Sequence, residues 1–95
     1  MARFAHQAES GPDAGRTFPI GPTGGVIGRQ AGVGIVLGDL QASRQHARLD
    51  VRDGGVTLTD LGSANGTRVN DRPVVGPQPL RPGDVIAIGD SRLRL

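Results

Sequence analysis

Three short clusters carry side chains suited to holding an anion: Gly28-Arg29, Ser43-Arg44-Gln45-His46 and Ser63-Ala64-Asn65-Gly66-Thr67. A phosphate dianion needs a charged donor, neutral donors and a setting that excludes some water. Arg29 offers two parallel N–H groups to phosphate oxygens, and Ser43 offers a hydroxyl proton. Arg44 follows as a further donor, through either its backbone N–H or its guanidinium. Asn65 has an amide donor and an acceptor, enough to bracket one peptide unit of an extended ligand. Each cluster also has a plain explanation: a strand end with a surface Arg, a Ser between two elements, and an Asn-Gly turn.

Other chemistries find less support. Ser43, His46 and Asp60 hold the residue types of a nucleophile, base and orienter. No Gly-x-Ser-x-Gly elbow is present, however, and Ser and His three residues apart at a loop–strand junction need not face each other. A metal site would draw on His6, His46 and scattered Asp without ligand spacing, so neither metal nor cofactor is expected. Gly32-x-Gly34 lacks the following Gly-Lys and helix of a phosphate-binding P-loop.

Composition narrows the class. Ninety-five residues suffice for one small core, and 36% of them are hydrophobic. Gly and Pro make up almost a quarter of the chain, without the period of collagen. No Cys is present, which removes disulfides and thiolate metal sites. Net charge is +2, with all eleven basic residues Arg and nine acids interleaved among them. The high pI raises nucleic acid as a partner, yet there is no basic run. The only aromatics, Phe4 and Phe18, give no stacking platform for single strands. No apolar run is long enough to span a bilayer, and Met1-Ala2-Arg3-Phe4 does not open a signal peptide. A soluble cytoplasmic domain is expected, without membrane or nucleic-acid partners. The ending at Leu95 fits either a piece of a longer chain or a minimal single-domain protein.

The elements that must position the clusters are strands. Phe18 and Ile20 alternate along Thr17-Phe18-Pro19-Ile20, while Gly25-Val26-Ile27 and Ile35-Val36-Leu37 are short apolar runs. Ala47, Leu49 and Val51 alternate with Arg48, Asp50 and Arg52, a half-buried strand. Asp53-Gly54-Gly55 predicts a tight hairpin into Val56–Asp60. Asn70-Asp71-Arg72-Pro73 predicts a second turn between Thr67–Val69 and Val74-Val75, and Gly89-Asp90 joins Val85–Ile88 to Arg92–Leu95. The one long stretch free of Gly and Pro, 39–53, has period two in its second half and is read as loop followed by strand. The pattern predicts an all-β sandwich or barrel, whose function would sit in loops at one end.

In order and in register, Gly28-Arg29, Ser43-Arg44-x-His46 and Ser63-x-Asn65-Gly66-Thr67-x-Val69-Asn70 resemble the forkhead-associated (FHA) domain. Pro82-Gly83-Asp84-Val85-Ile86-Ala87-Ile88-Gly89 is similar to that family's late Gly-Asp turn and strand. The resemblance is strong over residues 26–95 and looser before them, so 1–95 is read as a single FHA-like domain.

The resemblance implies a sandwich of about eleven short, mostly antiparallel strands in two sheets, with ligand loops at one end. It implies a signalling module that binds phosphothreonine peptides, not an enzyme. Arg29, Ser43, Arg44 and Asn65 would bind the phosphopeptide, with Asn65 on the backbone just after the phosphothreonine. Ser63 and Ala64 would wall a small pocket. Gly28, His46, Gly66 and Thr67 would support the site, His46 by bracing the loops. Ala64 and Gly34 depart from the family pattern, which often has a hydroxyl or longer side chain at the first position and Asp or Asn at the second. The partner would be a phosphothreonine-containing protein or peptide, either a Ser/Thr kinase substrate or a segment of the parent chain, bound by a monomer. A phosphate-independent assembly domain using a face of the same scaffold is the alternative.

Overall fold

A computed structural model describes residues 5–11, 15, 17–19 and 24–95, without the side chains of 5–10 and 19. The expected Ile20 and residues 1–4 lie outside that set. The strands are β1 (Ala5–Ser10), β2 (Thr17–Pro19), β3 (Gly24–Gly28), β4 (Ile35–Val36), β5 (Ala47–Arg52) and β6 (Gly55–Asp60). Then follow β7 (Arg68–Val69), β8 (Arg72–Pro73), β9 (Gln78–Leu80), β10 (Val85–Ile88) and β11 (Ser91–Arg94). They form a six-stranded sheet in the order β2-β1-β11-β10-β7-β8 and a five-stranded sheet in the order β4-β3-β5-β6-β9. All pairs are antiparallel except β3–β4. No helix among the described residues is long and apolar enough to cross a membrane.

Alternation builds the core. Along β5, Ala47 and Leu49 are buried while Arg48, Asp50 and Arg52 are exposed, as period two requires. Ile27, Leu49 and Leu58 of one sheet, with Ile86, Ile88 and Leu93 of the other, are each at most 1% exposed. Burying such side chains is worth about 1.5–3 kcal/mol apiece.

The turns follow their residue types. Asp53 and Gly54 both have positive φ, the geometry of a two-residue hairpin turn, and join β5 to β6. The second turn is shorter than expected: only Asn70 and Asp71 turn, both at positive φ, while Arg72-Pro73 forms β8. Val74-Val75 is not a strand, although Val74 packs on the core. Neither β1 nor β9 is foreseen by the sequence reading. Proline explains the second case, since Pro79 cannot donate to a central ladder and β9 lies on an edge. Pro19 and Pro73 likewise sit in the edge strands β2 and β8, where they discourage pairing with another chain.

Because β3, β5 and β6 are antiparallel neighbours, the end of β3, the start of β5 and the end of β6 meet at one end of their sheet. The loops 29–34, 37–46 and 61–67 leave from that end, and they contain the three clusters.

Candidate functional site

The loops are held by their own backbone before any ligand enters. The N–H groups of Arg29 and Gln30 donate to the carbonyls of Ser43 (3.0 Å) and Arg44 (3.2 Å). Gly28 makes that approach possible, because a Cβ there would stand 2.0 Å from the Arg44 carbonyl oxygen. The contact is with backbone, which cannot swing aside.

His46 is fully buried beneath the loops. The Ser43 N–H donates to its Nδ1 at 2.9 Å, and its Nε2 lies 2.8 Å from the Gly66 carbonyl oxygen. A backbone N–H can only donate, so Nδ1 must be the acceptor and Nε2–H the donor to Gly66. The imidazole thus ties the 37–46 loop to the 61–67 loop.

Asp60, at the end of β6, organises the 61–67 loop. Its Oδ1 accepts the N–H groups of Gly62 and Ser63, each at 2.8 Å. Its Oδ2 accepts the hydroxyls of Ser63 and of the buried Thr67, each at 2.6 Å. Burial works against ionisation here, but the hydroxyl and backbone donors outweigh it and hold the carboxyl below its ordinary value. The Ser63 hydroxyl also accepts the Gly66 N–H at 3.0 Å, with Gly66 at φ 80°.

On this frame the anion-suited groups face outward. Arg29 is exposed, its Nε–H donating to the Ala42 carbonyl at 3.1 Å. That bond fixes the base of the guanidinium, and its terminal NH2 groups are unspent among the described residues. The Ser43 hydroxyl oxygen accepts the Ala64 N–H at 3.1 Å, so its own proton remains to donate. Arg44 is exposed next to it, its carbonyl taken by the Gln30 N–H. Asn65 is exposed and gives one amide N–H to the Gln41 carbonyl at 2.8 Å, keeping its oxygen and second N–H. Ala64 is exposed on the same rim, whereas the Ser63 hydroxyl is turned into the loop.

The Ser43–His46–Asp60 relay is not assembled. His46 faces the Ser43 backbone, and Asp60 is occupied by Ser63 and Thr67. Among the described residues no three His, Cys, Asp or Glu groups gather as metal ligands. The sequence reading missed Asp60 as an organiser and also Asp39 and Gln41, which sit behind Arg29 and Asn65. Asp60 had a signal, an Asp two and three residues before Gly62 and Ser63, the spacing at which its carboxylate captures backbone N–H groups.

Comparison with known proteins bears on the family and the fold. The FHA domain family pattern matches residues 25–89. The oxoglutarate dehydrogenase inhibitor of Corynebacterium efficiens is 40% identical over 83 residues, covering 87% of this chain and 58% of that protein. The chain therefore spans little more than half the length of that relative. A solved structure from work on phosphothreonine-dependent FHA domain interactions is 32% identical, covers 96% of this chain and 94% of its own, and superposes at a TM-score of 0.83. The FhaA FHA domain, solved in complex with the intracellular domain of Rv3910, is 33% identical, with 92% and 94% covered and a TM-score of 0.81. With well over half of its residues inside the family pattern and a two-sheet fold shared with solved FHA domains, the chain belongs to the forkhead-associated (FHA) domain family.

Proposed function

We propose that this domain is a phosphothreonine-dependent interaction module that binds phosphorylated peptides across the loops 29–34, 37–46 and 61–67. Arg29 and Ser43 grip the phosphate, Arg44 adds a third donor, and Asn65 holds the peptide backbone with its free amide oxygen and N–H. Ala64 and Ser63 border the pocket, and Gly28, His46, Gly66 and Thr67 keep the loops in place. One observation carries the reading. The Ser43 hydroxyl proton and the Arg29 terminal NH2 groups are both unspent, on loops joined by the Arg29 N–H to Ser43 carbonyl bond.

The related proteins support it. An FHA domain fold at 32% identity belongs to work on phosphothreonine-dependent interactions, and FhaA's domain was captured on another protein's intracellular domain. The relative from Corynebacterium efficiens is named as an inhibitor, which fits a regulatory binder and not a catalyst. We read residues 1–95 as one such domain, monomeric and cytoplasmic, whose ligand lies on a kinase substrate or elsewhere on a parent chain.

The test is selection from an oriented phosphothreonine peptide library, followed by titration of one selected peptide with and without its phosphate. Measurable affinity for the phosphorylated form alone is expected. Equal binding of both forms would turn the reading toward phosphate-independent assembly on a sandwich face.

A further inference from the structure

A run of hydrogen bonds leads from the ligand rim to the turn between β10 and β11. Asp39 is 2% exposed, and its carboxylate spends both oxygens within the fold. Oδ1 accepts the Gln41 N–H at 2.9 Å, while Oδ2 accepts the Asp90 N–H and the Ser91 hydroxyl, each at 2.8 Å. The Ala42 N–H closes the turn on the Asp39 carbonyl at 3.0 Å. Two carbonyls of this turn are then presented outward. That of Gln41 takes the Asn65 amide, and that of Ala42 takes the Arg29 Nε–H. Gln41 adds a second tie to the far turn, its Nε2 donating to Asp90 Oδ2 at 3.1 Å. Gly89 leaves room for the arrangement, since a Cβ there would lie 2.8 Å from both Asp39 Oδ1 and the Gln41 Cβ.

Arg29 and Asn65 come from different loops, and each side chain has its only hydrogen bond among the described residues to this turn. Three donors converge on a buried point, which an acceptor-only carboxylate satisfies fully. An amide in its place would turn an NH2 toward one of them.

We infer that Asp39 is a positioning residue that sets Arg29 and Asn65 for the phosphopeptide through the carbonyls of Ala42 and Gln41, with the β10–β11 turn as its anchor. The inference rests on the phosphopeptide reading above. It extends the binding apparatus to Asp39, which is buried away from the ligand, and it makes a turn of the opposite sheet part of what sets affinity.

The test is a double-mutant cycle with a phosphothreonine peptide selected on the parent domain, at a temperature where circular dichroism finds every variant folded. Asp39→Asn should weaken binding about tenfold in the parent sequence and about threefold or less in the Asn65→Ala background. A residue acting through Asn65 has less to lose once Asn65 is gone. Equal fold-changes in both backgrounds, or no change in either, would overturn the inference. Should Asp39→Asn not fold, Gln41→Ala enters the same cycle. Its side chain is exposed and its loss spares the Asp39 carboxylate, so a drop of about threefold, reduced in the Asn65→Ala background, is expected. Arg29→Ala separates the two levels. If it binds as the parent does, the phosphopeptide reading falls and the inference with it. If it loses binding while Asp39→Asn and Gln41→Ala keep theirs, the positioning role alone falls.

Discussion

The Nε2 of His46 lies 2.8 Å from the carbonyl oxygen of Gly66, joining two loops whose residues stand twenty positions apart. The opposite ring nitrogen takes the Ser43 N–H at 2.9 Å, so one buried imidazole fixes the backbone of a proposed phosphate ligand. His46→Ala orphans a donor and an acceptor, each costing about 1–3 kcal/mol. The variant should melt well below the parent, since 1 kcal/mol shifts a domain of this size by about 4–8 °C. Phosphopeptide affinity should fall with it. Calorimetric melting beside a titration checks both. An unchanged melt with lost affinity would mean that His46 touches the ligand itself.

Arg29→Ala and Ser43→Ala should behave in the opposite way. Among the described residues, the exposed Arg29 side chain makes one hydrogen bond and the Ser43 hydroxyl accepts only the Ala64 N–H. Little stability is at stake in either. Truncating one partner of a charge-assisted pair typically costs about 2–5 kcal/mol of binding. Loss of phosphopeptide binding with a nearly parental melting temperature is the expected pair of results.

The two glycines of the site should differ in kind. Gly28→Ala drives a methyl to within 2.0 Å of the Arg44 carbonyl oxygen, and so parts β3 from the backbone of Ser43 and Arg44. Overpacking of this kind costs about 1–3 kcal/mol, and binding should fall because Arg29 and Ser43 move apart. Gly66→Ala meets nothing within 4 Å and pays only for its φ of 80°. Its stability loss should be the smaller, near 1 kcal/mol. Denaturant melts of the two variants check the order.

Much of this arrangement is legible in the residues, and the remainder is hidden for physical reasons. The β5 alternation and the Asp53-Gly54 turn announce themselves, because pleat and positive φ constrain residue type directly. Arg29, Ser43 and Asn65 stand out as polar side chains between apolar strands. The carbonyls of Gln41 and Ala42 carry no such mark: every residue has one, and only the fold decides where it points. Asp39 looks like any loop acid until burial shows three donors converging on it. Pro79 conceals β9 by its lack of an N–H, and β1 lacks the apolar alternation that would reveal it.

Acid should destabilise the domain through the same carboxylates. Burial raises the Asp39 pKa, yet the Gln41, Ser91 and Asp90 donors outweigh it and hold the group below its ordinary 3.8. Asp60 is depressed in the same manner. The unfolded chain takes up protons near pH 4 and the folded one only at lower pH. The stabilisation these groups provide is therefore complete above about pH 4 and is lost as pH falls through the depressed values. Melting temperature should drop steeply below pH 4. Asp39→Asn should start lower at pH 7 and lose less on acidification, and a parallel decline of variant and parent would contradict this.

Phosphothreonine should bind more tightly than phosphoserine. The two differ by one methyl group, which neither the Arg29 guanidinium nor the Ser43 hydroxyl can sense. Ala64 is the apolar group at hand, since its N–H bonds the Ser43 hydroxyl oxygen and so sets it beside the proposed phosphate site. Its exposure means that a ligand methyl would be covered on one side only. Full burial of one carbon is worth about 0.8 kcal/mol, or about fourfold in affinity. A shaped pocket raises discrimination to about tenfold or more. The open rim at Ala64 places the expected preference near the lower figure, and Ala64→Gly should shrink it further. Titrating one peptide carrying either phosphoresidue, against parent and variant, supplies all four dissociation constants. Equal values for the two peptides on the parent domain would show that no methyl contact exists and that the loops read phosphate alone.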